Sequence, residues 1–313
     1  MGQLRLTAVT RTQGAVEALK DGTVQPAGVS LEFEEVPVLI QAFRRMVRAL
    51  EFDVSEMAFT TYLAAKAHGK PFTALPVFLV RGFHHGAILR SAAEELAPVD
   101  LEGRQVGVNR GYTVTTGVWA RGILADEYGV DLSTVTWVLS GDEHVAEYVP
   151  PSNVVPVSPG KDVPDMVASG ELAAGIGIPA DHPGVAPLIP DAAEAGYRAL
   201  RERGLYPINH LVVVRDELLA QHPSLAADLF AAYADSKNRY VAELSRGLSD
   251  PSPTDRMYER VMRILGADPL PYGIAPNRAM IDQLIRYAVD QKILDKPVAA
   301  EDVFAAGTHD LAA

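Results

Sequence analysis

The chain has 313 residues, of which 48% are hydrophobic and 22% are charged, so it is a folded globular protein with one large α/β domain or two lobes. Its formal net charge of −12 argues against nucleic acid and anionic membranes as partners, since both attract basic surfaces. The absence of cysteine excludes thiol catalysis, thiolate metal ligands and disulfides. The first residues contain no apolar signal-peptide core and no segment is apolar enough to span a membrane, so we expect a cytoplasmic protein.

The first third of the chain alternates predicted strands with predicted helices. "LRLTAV" (4–9) alternates polar and apolar residues, as a strand does. "VLIQAFRRMVRAL" (38–50) places Phe43 and Met46 on one face and its arginines on the other, which predicts an amphipathic helix. Further elements are expected, in order, as a strand over 52–59, a helix over 60–69 and a strand over 72–80. This alternation favours a mostly parallel sheet.

The middle of the chain repeats this rhythm, and the end is helical. Strands are predicted over 103–109, 134–141 and 172–178, and helices over 113–130 and 161–170. The proline-rich segment 149–164 is predicted to be a surface loop. The tail is predicted to form helices over 224–244, 254–266, 277–294 and 297–305.

The segment "GVNRGYT" has the properties of an anion-binding turn. Asn109, Arg110, Tyr112 and Thr113 lie between a predicted strand and the start of a predicted helix. Backbone N–H groups and the helix dipole at such a place favour a carboxylate or a phosphate. The alternative is an ordinary strand-to-helix turn in which Thr113 caps the helix.

A second candidate site follows the strand that ends in "VSEM". Ser55 and Glu56 come after an apolar strand, where open α/β sheets usually bind their ligands. A glutamate at this point is suited to orient a ligand hydroxyl or to transfer a proton. Alternatively, Glu56 is a helix-start carboxylate that interacts with the dipole.

Two histidine segments stand out, "RGFHHGAILR" and "YPINHLVVVR". His84 and His85 are adjacent, so on a strand they would point to opposite faces and would not chelate one metal ion together. A metal site would need a distant further ligand such as His210, and we predict none. The residues alone leave two readings open: packed core histidines, or a site that both segments form. No P-loop, HExxH, G-x-S-x-G or G-x-G-x-x-G motif is present.

Several segments together resemble the 4,5-dihydroxyphthalate decarboxylase family. They are "FDVSEMAFTTYLAAKAHGKPFTALPVF", "RGFHHGAIL", "GVWARGILADEYGV", "YPINHLVVVRDELLAQHP" and "LPYGIAPNRAMIDQLIRYAVDQKIL", and they occur in the family's order over almost the whole chain. That family is similar to type II periplasmic binding proteins, which include sulfonate binders. The resemblance implies an α/β fold of two lobes with mixed sheets flanked by helices. It also implies two adjacent hinge strands, with the ligand bound between the lobes.

The implied domain division is discontinuous. Residues 1–98 and 208–313 would form the first lobe with a helical C-terminal tail, and residues 99–207 would form the second lobe. The resemblance further implies that the chain associates as a homodimer.

The resemblance also implies a set of site residues. His85 falls where relatives carry a histidine in a Phe-Arg-His-Ser setting, and His210 falls where they carry one in a Pro-Ile-x-His setting. The chain departs from the family at two places. It reads Asn109-Arg110-Gly111-Tyr112 where relatives read Pro-Glu-Tyr, and Ala180 follows Pro179 where relatives tend to carry an arginine. The gain of Arg110 and the lack of an arginine after Pro179 would change the position of an anion-binding contact.

The expected reaction is the non-oxidative, cofactor-independent decarboxylation of a hydroxylated aromatic (di)carboxylic acid. His85 would deliver a proton to the ring carbon and His210 would accept the phenol proton, or the reverse, with Glu56 as the orienting carboxylate. Carboxylate oxygens would be bound by Arg81 and Arg110 with the helix start at Tyr112 and Thr113. The expected substrate contacts are Ser55, Arg81, His84, Asn109, Arg110, Tyr112 and Thr113. The alternative is a solute-binding protein of the ABC-transporter type, or a sensor, for an aromatic or heterocyclic acid.

Overall fold

The computed structural model describes residues 3–313, and the chain divides into two compact units. The first unit comprises the described residues up to Gly82 together with Ile208–Asp282 and Val298–Ala313. The second unit comprises Phe83–Pro207 and Gln283–Pro297. Each unit is built around one β-sheet.

Eleven strands and eleven α-helices make up the two units within the described residues. The strands are β1 (Leu4–Val9), β2 (Val29–Phe33), β3 (Val54–Ala58), β4 (Phe72–Arg81), β5 (Ile88–Ser91), β6 (Gln105–Val108), β7 (Thr136–Leu139), β8 (Val154–Pro156), β9 (Ala174–Ile176), β10 (Val185–Pro187) and β11 (Ile208–Arg215). The helices are α1 (Gly14–Lys20), α2 (Leu39–Ala49), α3 (Phe59–Ala67), α4 (Thr115–Tyr128), α5 (Val163–Ala168), α6 (Ala192–Arg203), α7 (Asp216–Gln221), α8 (Leu225–Arg246), α9 (Pro253–Leu265), α10 (Ile274–Asp290) and α11 (Ala300–Val303).

The first unit contains a five-stranded mixed sheet in the order β2-β1-β3-β11-β4. Strand β1 pairs in parallel with β2 and β3, whereas β11 pairs antiparallel with both β3 and β4. All five residues of β3 are buried, so this strand forms the centre of the core. Because β1 and β3 run parallel, their carboxyl ends meet at one edge of the sheet.

Helix α2 confirms the helical period that the sequence shows. Its buried residues are Ala42, Phe43, Met46 and Val47, which recur at the spacing of one helical face. The helix ends at Leu50, which adopts the left-handed conformation at φ 52° and donates its N–H to the carbonyl of Met46.

The second unit contains a six-stranded mixed sheet in the order β10-β5-β9-β6-β7-β8. Strand β5 pairs antiparallel with β9 and β10, so the segment after Gly82 belongs to the second unit. The expected first-lobe boundary at residue 98 therefore lies 16 residues beyond the observed one at residue 82. The expectation that the two histidine segments form neighbouring strands is also corrected, because β5 and β11 belong to different sheets.

The C-terminal part departs from the predicted division as well. Residues 283–297 belong to the second unit rather than to a first-lobe tail. The physical reason is the packing of α10 against α4, where the Tyr287 ring meets Trp119 edge-on at 5.5 Å and the Tyr287 hydroxyl donates to Asp126. The predicted loop 149–164 also contains strand β8, which pairs in parallel with β7.

No helix among residues 3–313 is both long and apolar enough to cross a lipid bilayer.

The packing of α4 against α10 predicts that Gly122→Ala destabilises the protein. A Cβ atom at position 122 would lie 2.2 Å from the Tyr287 ring, so the ring would have to shift within a packed core. We expect the free energy of unfolding to fall by about 1–3 kcal/mol, which thermal and denaturant unfolding would measure. Gly307→Ala is the matched control, because a Cβ there has no neighbour within 4 Å. Equal stability of the two variants would contradict this packing.

Candidate active site

The centre of the site in the first unit is the carboxylate of Glu56, which is 0% exposed. Its Oε2 accepts hydrogen bonds from the Thr10 hydroxyl at 2.7 Å and from the backbone N–H of Arg11 at 3.0 Å. Its Oε1 accepts from Nε of Arg11 at 3.1 Å. Thr10 and Arg11 directly follow β1, and Glu56 lies on β3, so the parallel pairing of these strands assembles the cluster.

His210 completes this cluster from β11. Its Nδ1 lies 2.5 Å from Oε1 of Glu56, and the Phe43 ring meets the imidazole edge-on at 5.1 Å. Glu56 is paired across the sheet with Val212, two residues from His210, so both side chains emerge on the same face. The pairing of β11 with β4 is irregular around His210, which bends the strand there.

The charge of Glu56 fixes the tautomer of His210. Burial alone would raise the pKa of Glu56, but the hydrogen bond and charge of His210, the charge of Arg11 and the Thr10 hydroxyl outweigh it and lower the pKa to about 2. An ionised carboxylate only accepts hydrogen bonds, so Nδ1 of His210 carries the hydrogen. In the neutral imidazole Nε2 is then the nitrogen that can accept a hydrogen bond.

Thr10 and Arg11 are the residues of this cluster that the sequence did not predict, and Arg11 is the charged one of the two. Its signal is its position immediately beyond β1, at the carboxyl end of a strand in a partly parallel sheet. The pairing of Val9 with Ser55 then places it beside Glu56.

Ser55 and Arg81 belong to the first unit but make other contacts. The Ser55 hydroxyl is buried and donates to the backbone carbonyl of Glu56 at 2.7 Å. Arg81, which is 5% exposed, donates from Nη1 to Oδ1 of Asn277 at 2.7 Å. Asn277 in turn donates to the carbonyls of Pro271 and Gly273. These contacts connect Arg81 to the start of α10.

His85 lies in the second unit, where a second carboxylate holds it. Its Nε2 lies 3.0 and 3.1 Å from the two carboxylate oxygens of Glu127 on α4, and Nη2 of Arg203 on α6 lies 2.5 Å from the same carboxylate. Burial raises the pKa of Glu127, but the hydrogen bonds and charges of His85 and Arg203 lower it overall. The neighbouring His84 is also buried. His85 Nδ1 is buried and has no hydrogen-bond partner within residues 3–313.

The anion-binding turn that the sequence predicts is present in the second unit and holds an internal carboxylate. Oε1 of Glu143 accepts from the backbone N–H of Tyr112, and Oε2 accepts from the N–H and the hydroxyl of Thr113 at 3.2 and 2.6 Å. Arg110, two residues before Tyr112, adopts the left-handed conformation at φ 73°. A Cβ at Gly111 would lie 2.6 Å from the carboxylate, so a larger residue there would have to displace the Glu143 side chain.

The remaining predicted contacts shape this turn. Asn109 donates from Nδ2 to the carbonyl of Gly177 at 2.8 Å and accepts from the Ser140 hydroxyl at 3.3 Å. The backbone N–H of Arg110 donates to that hydroxyl at 2.7 Å, and Arg110 is exposed. A ligand carboxylate would therefore have to displace Glu143 to use the backbone donors of this turn.

Within the described part of the chain, no three histidine, aspartate or glutamate side chains are arranged to hold a metal ion.

The comparisons with known proteins identify the family. A relative from Comamonas testosteroni named 4,5-dihydroxyphthalate decarboxylase is 31% identical, and the alignment covers 91% of this chain and 91% of that protein. The chain belongs to the 4,5-dihydroxyphthalate decarboxylase family. A Pseudomonas putida member of the same name is 33% identical over 64% of this chain and 84% of its own. No protein-family profile matches the chain.

The fold of this decarboxylase family member is that of periplasmic binding proteins, as the sequence predicts. The periplasmic aliphatic sulphonate-binding protein of Escherichia coli superimposes with a TM-score of 0.55 at 14% identity, covering 98% of this chain and 92% of that one. At such low identity the likeness concerns the fold alone.

The buried Glu56 carboxylate predicts a specific loss of stability in acid. Its folded-state pKa of about 2 lies below the ordinary value of 4.5, so its contribution is present above pH 4.5 and is lost as the pH falls from 4.5 towards 2. We expect wild-type protein to lose about 3 kcal/mol more than Glu56→Gln over this interval, as denaturant unfolding at several pH values would show.

Glu243→Gln, which changes an exposed glutamate of α8, is the matched control and should keep the wild-type pH dependence. A Glu56→Gln variant with the same acid slope as wild-type protein would contradict an ionised, buried Glu56.

The internal carboxylate at the start of α4 predicts that Glu143→Gln is destabilising. The amide places an NH₂ group where the carboxylate accepts hydrogen bonds from Tyr112 and Thr113, so one backbone donor loses its partner. We expect a loss of about 1–3 kcal/mol in the free energy of unfolding. Glu202→Gln, an exposed position on α6, should be neutral. Comparable stability of both variants would show that the Glu143 contacts contribute little.

Proposed function

We propose that the protein removes carbon dioxide from a hydroxylated aromatic dicarboxylic acid of the 4,5-dihydroxyphthalate type, using its own side chains for proton transfer. The observation that carries this proposal is the contact between His210 Nδ1 and the buried Glu56 carboxylate at 2.5 Å. The pair supplies an oriented acid–base group in a member of a family whose named relatives are decarboxylases.

The chemistry needs a base for the ring hydroxyl that stands para to the leaving carboxylate. Nε2 of His210 accepts the phenol proton, and the Glu56 carboxylate stabilises the imidazolium that forms. The electron pair of the phenoxide moves into the ring, and the carbon that carries the carboxylate takes up one proton. This gives a dienone in which that carbon is tetrahedral.

The dienone then loses carbon dioxide. The bond between the ring carbon and the carboxylate breaks, and its electron pair restores the aromatic phenoxide. The phenoxide recovers its proton from the His210 imidazolium. In the overall reaction, one proton from the solvent is consumed for each carbon dioxide released. No electron is gained or lost, so the reaction needs no redox partner.

For His85 we propose a proton-transfer role as well. The contact with Glu127 and the contact of Glu127 with Arg203 give it the same combination of imidazole, carboxylate and guanidinium that surrounds His210. The His85 side chain is only 1% exposed, compared with 14% for His210, so His210 is the histidine better placed for exchange with a ligand.

The proposal predicts carbon dioxide release that depends on His210. Purified, chelator-treated protein would be offered 4,5-dihydroxyphthalate and a panel of hydroxylated benzoates and phthalates, with carbon dioxide measured directly and binding followed by thermal shift. We expect His210→Gln to lower kcat/KM at least about 100-fold, since general acid–base groups contribute on the order of 10² to 10⁴. His85→Gln tests the second histidine in the same assay.

His222→Gln is the matched control, because His222 is a helix-end residue on α7 whose backbone N–H bonds to Leu218. Each variant would first be checked for native circular dichroism. Ligand binding by wild-type protein without carbon dioxide release would overturn the proposed decarboxylase activity and favour a role as a binding protein. Full turnover by His210→Gln would overturn the assigned base.

A further inference from the structure

Arg11 contacts both Glu56 and His210 in the first unit, and its side chain extends from them towards the surface. Its Nε and backbone N–H both donate to Glu56, at 3.1 and 3.0 Å, and its Nη2 lies 3.2 Å from Nδ1 of His210. Because the hydrogen on Nδ1 points to Glu56, that nitrogen does not accept a hydrogen bond from Nη2. At most one N–H of Nη2 faces His210, so the Nη1–Nη2 edge keeps one N–H on each nitrogen outside the contacts with Glu56 and His210.

The exposure of Arg11 distinguishes it from the carboxylate it contacts. The Arg11 side chain is 42% exposed, whereas Glu56 is 0% exposed, so the guanidinium spans from the buried carboxylate to the accessible side of the cluster. Nη1 makes no hydrogen bond or ion pair within residues 3–313. A guanidinium presents its donors as a rigid fork that matches the two oxygens of a carboxylate.

Arg11 also lines a cavity of about 380 Å³ in the first unit, a volume in the range of small-molecule sites. The other polar residues that line it include Gln13, Ser252, Thr254, Asp255 and Tyr258. Asp255 opposes an anion there, but its carboxylate is engaged by the Tyr240 hydroxyl and by the backbone N–H of Ser252. The cavity gives a ligand carboxylate room beside Arg11.

The arginines that the sequence analysis selected have other surroundings. Arg81 is buried and bonded to Asn277, and the turn at Arg110 holds Glu143. Of these three arginines, Arg11 is the one whose guanidinium contacts both Glu56 and His210.

We propose that Arg11 binds the carboxylate that the substrate retains, through its Nη1–Nη2 edge, while its Nε keeps Glu56 in place beside His210. Arg11 then determines specificity: it selects a ring that carries a carboxylate at the retained position over a ring that lacks one. This inference rests on the proposed function for the identity of the substrate, but its test is a binding measurement that does not require turnover.

The test measures binding of phthalate, 3,4-dihydroxybenzoate and catechol by isothermal titration calorimetry to wild-type protein, Arg11→Gln and Arg11→Lys. Phthalate has no hydroxyl to drive decarboxylation, and catechol has no carboxylate. We expect Arg11→Gln to weaken the binding of phthalate and of 3,4-dihydroxybenzoate about 10- to 100-fold, because one charge-assisted fork is lost. The affinity for catechol should stay within about twofold of the wild-type value. Arg11→Lys should fall between, since lysine keeps the charge without the fork.

Arg5→Gln is the matched control, since Arg5 is an exposed arginine on β1 that faces Glu32 at 3.7 Å, and it should bind as wild-type protein does. Unchanged carboxylate affinity in Arg11→Gln would overturn the proposal. An equal loss for catechol would also overturn it, because Arg11 would then act only through Glu56 and His210. Absence of phthalate binding to wild-type protein would do the same. Failure of carbon dioxide release with intact, Arg11-dependent phthalate binding would overturn the proposed function and leave this inference standing.

Discussion

The first unit depends on one constraint, which is that an ionised carboxylate buried in a sheet must have every oxygen satisfied. Glu56 meets this constraint with the Thr10 hydroxyl, two donors of Arg11 and the imidazole of His210. These partners come from the ends of β1 and from β11, on either side of β3. A buried charge left with a missing partner is strongly unfavourable, so the same contacts that stabilise the sheet also orient His210.

The second unit uses the same combination of groups in a different arrangement. Glu127 contacts both His85 and Arg203, but it bonds to Nε2 of its histidine, whereas Glu56 bonds to Nδ1. The carboxylates therefore contact opposite ring nitrogens in the two histidines, Nδ1 in His210 and Nε2 in His85. Glu143 adds a further internal anion, which occupies the backbone donors at the start of α4. Both units thus satisfy buried carboxylates from within the chain.

The fold and the site carry different information about function. The scaffold is shared with a sulphonate-binding protein at 14% identity, and a scaffold of this kind does not specify whether a ligand is bound or converted. Conversion requires a group that exchanges protons, and the proposed group is His210, whose Nδ1 contacts the buried Glu56 carboxylate. The neighbouring guanidinium of Arg11 adds a positive charge beside it. The groups proposed for ligand binding and for proton transfer therefore belong to one contiguous set of side chains.

The sequence by itself determined the local elements, the family and the residues that lie in recognisable patterns. The helical period of α2 and the strand β1 follow from neighbours in the chain, because strands and helices express their periods locally. Glu56 was a candidate from its place after an apolar strand, and the choice of His210 came from the family resemblance. Tertiary structure alone decided which groups meet. Arg11 reaches Glu56 across 45 residues through the pairing of β1 with β3, and Glu143 reaches Thr113 across 30 residues from a loop. The boundary at Gly82 depends on the partners of β5, and α10 packs on α4 by non-local contacts that no local pattern encodes.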